Sequence, residues 1–187
     1  MTECHPKQTC RLNRDSLSEH DRRRPSAHVH RFVNYKQSDR RAEMTNSLPE
    51  TPNSLTGGCM CGAVRYRISE KPVASGLCHC NRCRPQSGSA FSTVIIIKRS
   101  TFQIEGETTV FEDVGASGLR VGRRGCARCG SPLTTEPDVA PDIMFVKAGG
   151  IDNNEWFQPT MELFVTRRRP WVTPVPGIPQ FDSNPPI

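Results

Sequence analysis

The sequence predicts an all-β domain of short strands with few, short helices, and three observations carry that expectation. β-branched and alternating segments recur from residue 63 onward, separated by Gly-rich and Pro-rich connections. No segment sustains the 3.6-residue apolar period of an amphipathic helix. Seven cysteines fall in three tight groups, C-x-C, C-H-C-x-x-C and C-x-x-C, which suit turns that pin short strands.

Taken in order, Ala63-Val64-Arg65-Tyr66-Arg67-Ile68 alternates small or apolar with polar side chains, the period of a half-buried strand. Phe91 to Ile97 is rich in β-branched residues and reads as a central strand. Phe102-Gln103-Ile104 and Thr108-Thr109-Val110-Phe111 flank Glu105-Gly106-Glu107, which predicts a hairpin. Leu119-Arg120-Val121 leads towards the last cysteine pair, and Ile143 to Val146 and Met161 to Val165 complete the set. The last residues, from Pro170, carry six prolines and predict an extended strap whose Trp171 and Phe181 pack on the sheet.

The chain has 187 residues, enough for one ordinary domain with a tail. Residues 1–55 are polar and rich in Arg, Ser, Asn and Pro, with no sustained apolar period, so they are expected to be a disordered basic extension. The domain is then 56–172 and the Pro-rich strap 173–187. Met44 offers a second start, from which the domain is reached after a short polar lead. Cys4, His5 and Cys10 lie in the extension, where no scaffold fixes a ligand geometry.

The net charge is +6, but residues 1–43 hold ten Lys or Arg against six Asp or Glu, leaving fifteen against thirteen in the remainder. The domain therefore presents no electrostatic footprint for nucleic acid. No apolar run is long enough for a membrane span, and no stretch near the N-terminus resembles the apolar core of a signal peptide. A reducing, cytoplasmic setting is expected, in which closely spaced cysteines serve as metal ligands or redox groups.

Cys59-Met60-Cys61 and Cys126-Ala127-Arg128-Cys129 are paired ligand turns with 64 residues between them, and Gly62, Gly125 and Gly130 give those turns backbone freedom. Four thiolates complete a tetrahedral zinc site that ties the first strand to the segment before Pro132. Two unrelated reduced pairs, or a redox pair at Cys126 and Cys129, are the alternative.

Cys78, Cys80 and Cys83 remain. Local extension points Cys78 and Cys80 one way and His79 the other, which argues against His79 as a fourth ligand and makes it a packing or supporting residue. The other histidines, His5, His20, His28 and His30, are all in the extension. An acidic side chain can close this second site; left open, a zinc ion there has a position for water or an exogenous thiol and lowers the pKa of either. Arg82, Arg84, Gln86, Ser87 and Ser89 place hydrogen-bond donors nearby. A zinc-stabilised protein- or chromatin-binding module is the alternative to an enzyme.

Gly57 to Tyr66 with its C-x-C, then Cys78 to Cys83, then Ser87-Gly88 and Phe91, then Cys126 to Leu133, closely resemble the glutathione-dependent formaldehyde-activating enzyme family, whose domain is shared with centromere protein V. The resemblance runs from Gly57 to Trp171 and includes the closing Arg169-Pro170-Trp171. It implies a β-tent fold, similar to that of the Rab guanine-nucleotide-releasing chaperone, and two zinc ions. By the same resemblance, Cys59, Cys61, Cys126 and Cys129 hold the structural ion, and Cys78, Cys80 and Cys83 the second, potentially catalytic one. The implied reaction is that of a carbon–sulfur lyase, written for synthesis as the condensation of formaldehyde with glutathione to S-(hydroxymethyl)glutathione. The partner is then a small thiol, with Arg82 and Ser87 as candidate orienting groups.

Overall fold

The computed structural model describes residues 50–185. The expectations for residues 1–49, including the disordered extension, the second start at Met44 and the isolated Cys4, His5 and Cys10, lie outside the described residues. The first strand, β1 (Leu55–Gly58), begins with the buried Leu55. It pairs with β2 (Arg65–Ile68), which pairs in turn with β5 (Phe102–Glu105), and these three form an antiparallel sheet in the order β1-β2-β5.

The second sheet holds the other eight strands, in the order β11-β10-β3-β4-β9-β8-β7-β6. They are β3 (Ala74–Cys78), β4 (Ser92–Lys98), β6 (Thr108–Val114), β7 (Arg120–Cys126), β8 (Pro132–Pro137), β9 (Ile143–Lys147), β10 (Met161–Leu163) and β11 (Gln180–Phe181). β10 runs parallel to both β3 and β11, and the other pairs are antiparallel. Among the described residues the longest helix is α1 (Cys83–Ser87), with short 3₁₀ turns elsewhere, so the all-β expectation holds.

Period-two alternation decides what each strand face does. Ile95 and Ile97 of β4 and Met144 and Val146 of β9 point to the small sheet, where Leu55, Tyr66 and Ile68 meet them in one buried cluster closed by Ile151 and Trp156. Val94 and Ile96, and likewise Phe145 and Lys147, point to the opposite face. The large sheet thus has a core face and a second face open to a cavity.

Two expectations are corrected. β5 and β6 are not a hairpin: β5 pairs with β2 and β6 with β7, in different sheets. Gly106, with φ of 98°, turns the chain from one sheet to the other, and a Cβ there would collide with the Ala63 carbonyl. A symmetrical run of polar turn residues between two strand patterns does not distinguish a hairpin from a crossover. Trp171 is the second correction, being 74% exposed rather than packed on the sheet. Phe181 does join the large sheet, as the last residue of β11.

Candidate metal centres and the adjoining cavity

The four-thiol group forms where the two sheets meet. Cys59 and Cys61 follow β1, Cys126 ends β7, and Cys129 follows it. Gly62 N–H donates to the Cys59 carbonyl at 3.1 Å and Gly130 N–H to the Cys126 carbonyl at 3.0 Å, so each pair sits in a tight turn. The four sulfurs lie within 4.8 Å of one another. Ser131 links the turns, its hydroxyl accepting from Met60 N at 3.1 Å and lying 3.1 Å from Cys129 Sγ.

The protonation pattern of these thiols follows their surroundings. The Ser131 hydroxyl and amide lower the Cys129 pKa to about 5. Burial pushes the Cys59 thiol up, but the Val64 amide at 3.2 Å and the neighbouring thiols outweigh it and the net shift is downward. A cluster of soft sulfur donors, two of them with pKa values lowered by their surroundings, fits a tetrahedral site for zinc.

The three-thiol group sits at the end of β3. Cys78 is the last residue of that strand, Cys80 is buried two residues beyond, and Cys83 opens α1. Their sulfurs also lie within 4.8 Å of one another, and among the described residues no His, Asp or Glu joins them. Of the three thiols, Cys80 is the one whose pKa is lowered. The Cys78 and Cys83 thiols and the Cys83 and Arg82 amides all donate towards its sulfur, Cys83 N at 3.2 Å, and lower its pKa strongly. Hydrogen bonding to Cys80 and Cys83, together with burial, in turn raises the pKa of Cys78. This donor set fits a soft ion with a coordination position left over.

His79 lies away from the thiols, as strand alternation expects. It is fully buried, packs edge-on against Phe91 with ring centroids 5.7 Å apart, and has Nε2 3.8 Å from Glu162 Oε1. Glu162 is also paired with Arg168. Burial, opposed by the Glu162 charge, pushes the imidazole pKa down.

A cavity of about 590 Å³ opens beside the three thiols on the second face of the large sheet. Cys78, Cys80, Cys83, Asn81 and Arg82 line it, together with Arg123, Thr135 and Lys147. Arg82 is 3.6 Å from Asp113. Ser87 is not part of this lining; its hydroxyl lies 3.1 Å from both the Arg84 and the Phe91 carbonyl oxygens, donates to one of them at a time, and secures the end of α1. Arg84, Gly88 and Ser89 line a separate shallow depression with Trp171.

Two cations that the sequence did not single out stand at the thiol end of the cavity. Arg123 of β7 donates to Asp113 Oδ2 at 2.8 Å and to Gln86 Oε1 at 3.0 Å, and its guanidinium is 4.0 Å from Cys83 Sγ. Lys147 of β9 is 6% exposed and donates to Ser92 Oγ at 3.0 Å, with no carboxylate partner among the described residues. Burial pushes the Lys147 pKa down, while negative charge on Cys83 opposes that shift. The signal for Lys147 was its place at the end of Ile143-Met144-Phe145-Val146, a strand with too few polar positions for a solvated lysine. Arg123 had no such signal, because Arg123 and Arg124 are adjacent and face opposite ways, Arg124 to Glu136.

Fold and site together define a small all-β protein with two thiol clusters suited to soft metal ions, one of them bordering a cavity. Residues 54–167 match the family described as glutathione-dependent formaldehyde-activating enzyme. That match covers more than half of the chain, and the chain belongs to this family. A curated Halomonas elongata protein, provisionally named glutathione-dependent formaldehyde-activating enzyme, is 30% identical over 105 residues, covering 54% of this chain and 67% of that protein. A crystal structure of a Rhodobacter sphaeroides protein aligns with a TM-score of 0.41 and 16% identity over 67% of this chain and 98% of that one.

Proposed function

We propose that this protein is a zinc-dependent carbon–sulfur lyase-like enzyme acting on an adduct of glutathione or another small thiol, S-(hydroxymethyl)glutathione being the adduct implied by the family resemblance. The observation that supports it most directly is the position of Cys78, Cys80 and Cys83 against a cavity, with no fourth protein ligand beside them among the described residues. Cys59, Cys61, Cys126 and Cys129 would hold a structural zinc, and Cys78, Cys80 and Cys83 a second. Bound at the second site, zinc supplies Lewis acidity and lowers the pKa of a thiol, favouring thiolate near neutral pH.

The chain's own residues do the rest. Lys147 and Arg123 offset the negative charge that three thiolates and an incoming anionic thiol bring to one place. Arg82, at the cavity wall, orients the adduct, and Ser87 acts through the turn that fixes α1. In the synthetic direction the thiol sulfur forms a bond to the carbonyl carbon, the carbonyl π pair moves to oxygen, and oxygen takes the proton that the thiol gave up. The reverse step cleaves the carbon–sulfur bond. A reducing, cytoplasmic setting keeps the seven thiols free for this role.

A non-catalytic zinc-stabilised module that binds protein or chromatin needs no cavity at its second metal, so the cavity favours the enzyme. Metal analysis with X-ray absorption, on protein titrated with glutathione, should find two zinc ions and one whose coordination changes. Turnover with formaldehyde should exceed the uncatalysed addition measured without protein. Two zinc ions indifferent to every thiol offered would sink the proposal.

A further inference from the structure

The cavity is much larger than a one-carbon aldehyde requires, and its walls are of the wrong chemistry for one. Its apolar lining includes Val94 and Ile96 of β4, Ile143 and Phe145 of β9, and Val121 of β7, whereas Phe164 clusters with Cys78 and Cys80. The strand register makes this a continuous strip: Ile96 is directly opposite Phe145, Lys98 is opposite Ile143, and Val94 is opposite Lys147. The strip therefore starts beside the buried lysine at the thiol end and runs down two adjacent strands. Among the described residues no Asp or Glu lines the cavity. Lys147 and Arg123 stand at the thiol end and Val94, Ile96, Ile143 and Phe145 form an apolar strip, while Asn81, Arg82, Ser117, Thr135, Arg167 and Asn184 add polar groups to the lining; the division suits a small anionic thiol at the cationic end and an apolar arm on the aldehyde it joins.

Formaldehyde bound at the thiols would touch none of the strip and leave it facing water. A peptide arm laid along it would lose hydration of its amides and carboxylates with few polar partners in exchange. An alkyl or aryl group gains free energy by leaving water for the same surface.

We infer that the cavity beside Cys78, Cys80 and Cys83 accepts the adduct of a small thiol with an aldehyde larger than formaldehyde, its apolar chain or ring lying along Val94, Ile96, Ile143 and Phe145. This rests on the lyase-like reading for the reaction, but the binding preference is measurable without turnover. The reaction balances as it does for formaldehyde: the sulfur–carbon bond forms, the carbonyl oxygen takes the thiol proton, and the arm is unchanged. A ring or chain of about four to eight carbons matches a cavity of this class.

The test uses the metal-loaded protein and two readouts. Calorimetry with S-methyl-, S-butyl- and S-hexylglutathione, stable thioethers that cannot react, should show affinity rising with chain length, about tenfold or more from methyl to hexyl. Ile143→Asn and Phe145→Ser, checked for unchanged metal content and circular dichroism, should remove most of that gain and leave S-methylglutathione binding as it was. Ile143 and Phe145 are only partly buried, and the two variants provide independent tests should one fail to fold.

In parallel, turnover of glutathione with formaldehyde, butanal and hexanal is compared with the uncatalysed addition. Equal affinity for the three thioethers, or a chain-length gain that survives both substitutions, overturns the assignment of the arm to this strip. So does the absence of binding by all three. A chain-length gain lost in the variants, without turnover of any aldehyde, upholds the cavity assignment and removes the lyase-like reading instead. Turnover that is fastest with formaldehyde, combined with equal thioether affinities, keeps the lyase-like reading and removes this one.

Discussion

Lys147 is a buried cation whose only hydrogen-bond partner among the described side chains is the Ser92 hydroxyl. Burial disfavours the charged form of this lysine and negative charge on Cys83 favours it, and the dependence runs both ways. Lys147→Met should therefore weaken the binding of an anionic thiol about 10- to 100-fold, the usual effect of removing an outer partner of a metal site. Cobalt substitution and titration with glutathione would read this from the sulfur-to-metal charge-transfer band. Wild-type affinity in the variant would show that the lysine has no share in anion binding.

The carboxylates give a pH prediction. Burial alone would raise the pKa values of Asp113 and Glu136, but Arg123 for the first, and Arg124 with Thr134 and Arg99 for the second, bring both below the ordinary values of 3.8 and 4.5. A carboxylate with a depressed folded-state pKa stabilises above its unfolded value, and that contribution is lost as pH falls through the folded one. Thermal unfolding followed from pH 6 to pH 3 should show stability falling below about pH 4.5. Glu136→Gln should be less stable than wild type at pH 6 and have a shallower acid limb. An unchanged limb would mean that the Glu136 pairings contribute nothing to stability.

At the scale of elements, β4 sits at the centre of the structure because it serves two faces. Ile95 and Ile97 are in the core between the sheets, while Val94 and Ile96 line the cavity. Ile95→Ala should cost about 2–5 kcal/mol, the range for deleting a fully buried aliphatic side chain, measured by urea unfolding. Ile96→Ala should cost less, because its neighbour on one side is a cavity that solvent or ligand can enter.

The strands of the sequence reading were legible where their composition was β-branched and continuous, as in β4 and β9. β1, β3 and β8 were not. Leu55-Thr56-Gly57-Gly58 carries two glycines, and Ala74-Ser75-Gly76 has almost no apolar bulk, so each is a strand only because a neighbour supplies the hydrogen bonds. The seven ligand candidates were legible because sulfur spacing is a local signal, whereas Arg123 comes to the site through sheet pairing, which local spacing does not encode.

At the scale of the whole molecule, the four thiols tie the loop after β1, in the small sheet, to the end of β7, in the large one. Cys126→Ser should therefore loosen one sheet from the other rather than unfold a single strand. Hydrogen exchange should report it as faster exchange of β1, β2 and β5, with β4 and β9 the last to lose protection. Uniform acceleration across both sheets would show instead that the molecule opens as one unit.

The same tie encloses the second thiol group within its own loop, since Cys78 to Cys83 fall between Cys61 and Cys126 along the chain. During synthesis on the ribosome, the three-thiol segment is complete within six residues, while Cys59 and Cys61 must wait for a partner 65 residues downstream of Cys61. The three-thiol group beside the cavity is thus complete first, and the four-thiol group that spans the two sheets is completed last. A chain stalled after β6 should already carry one metal, and release of the remainder should add the second together with the compact fold.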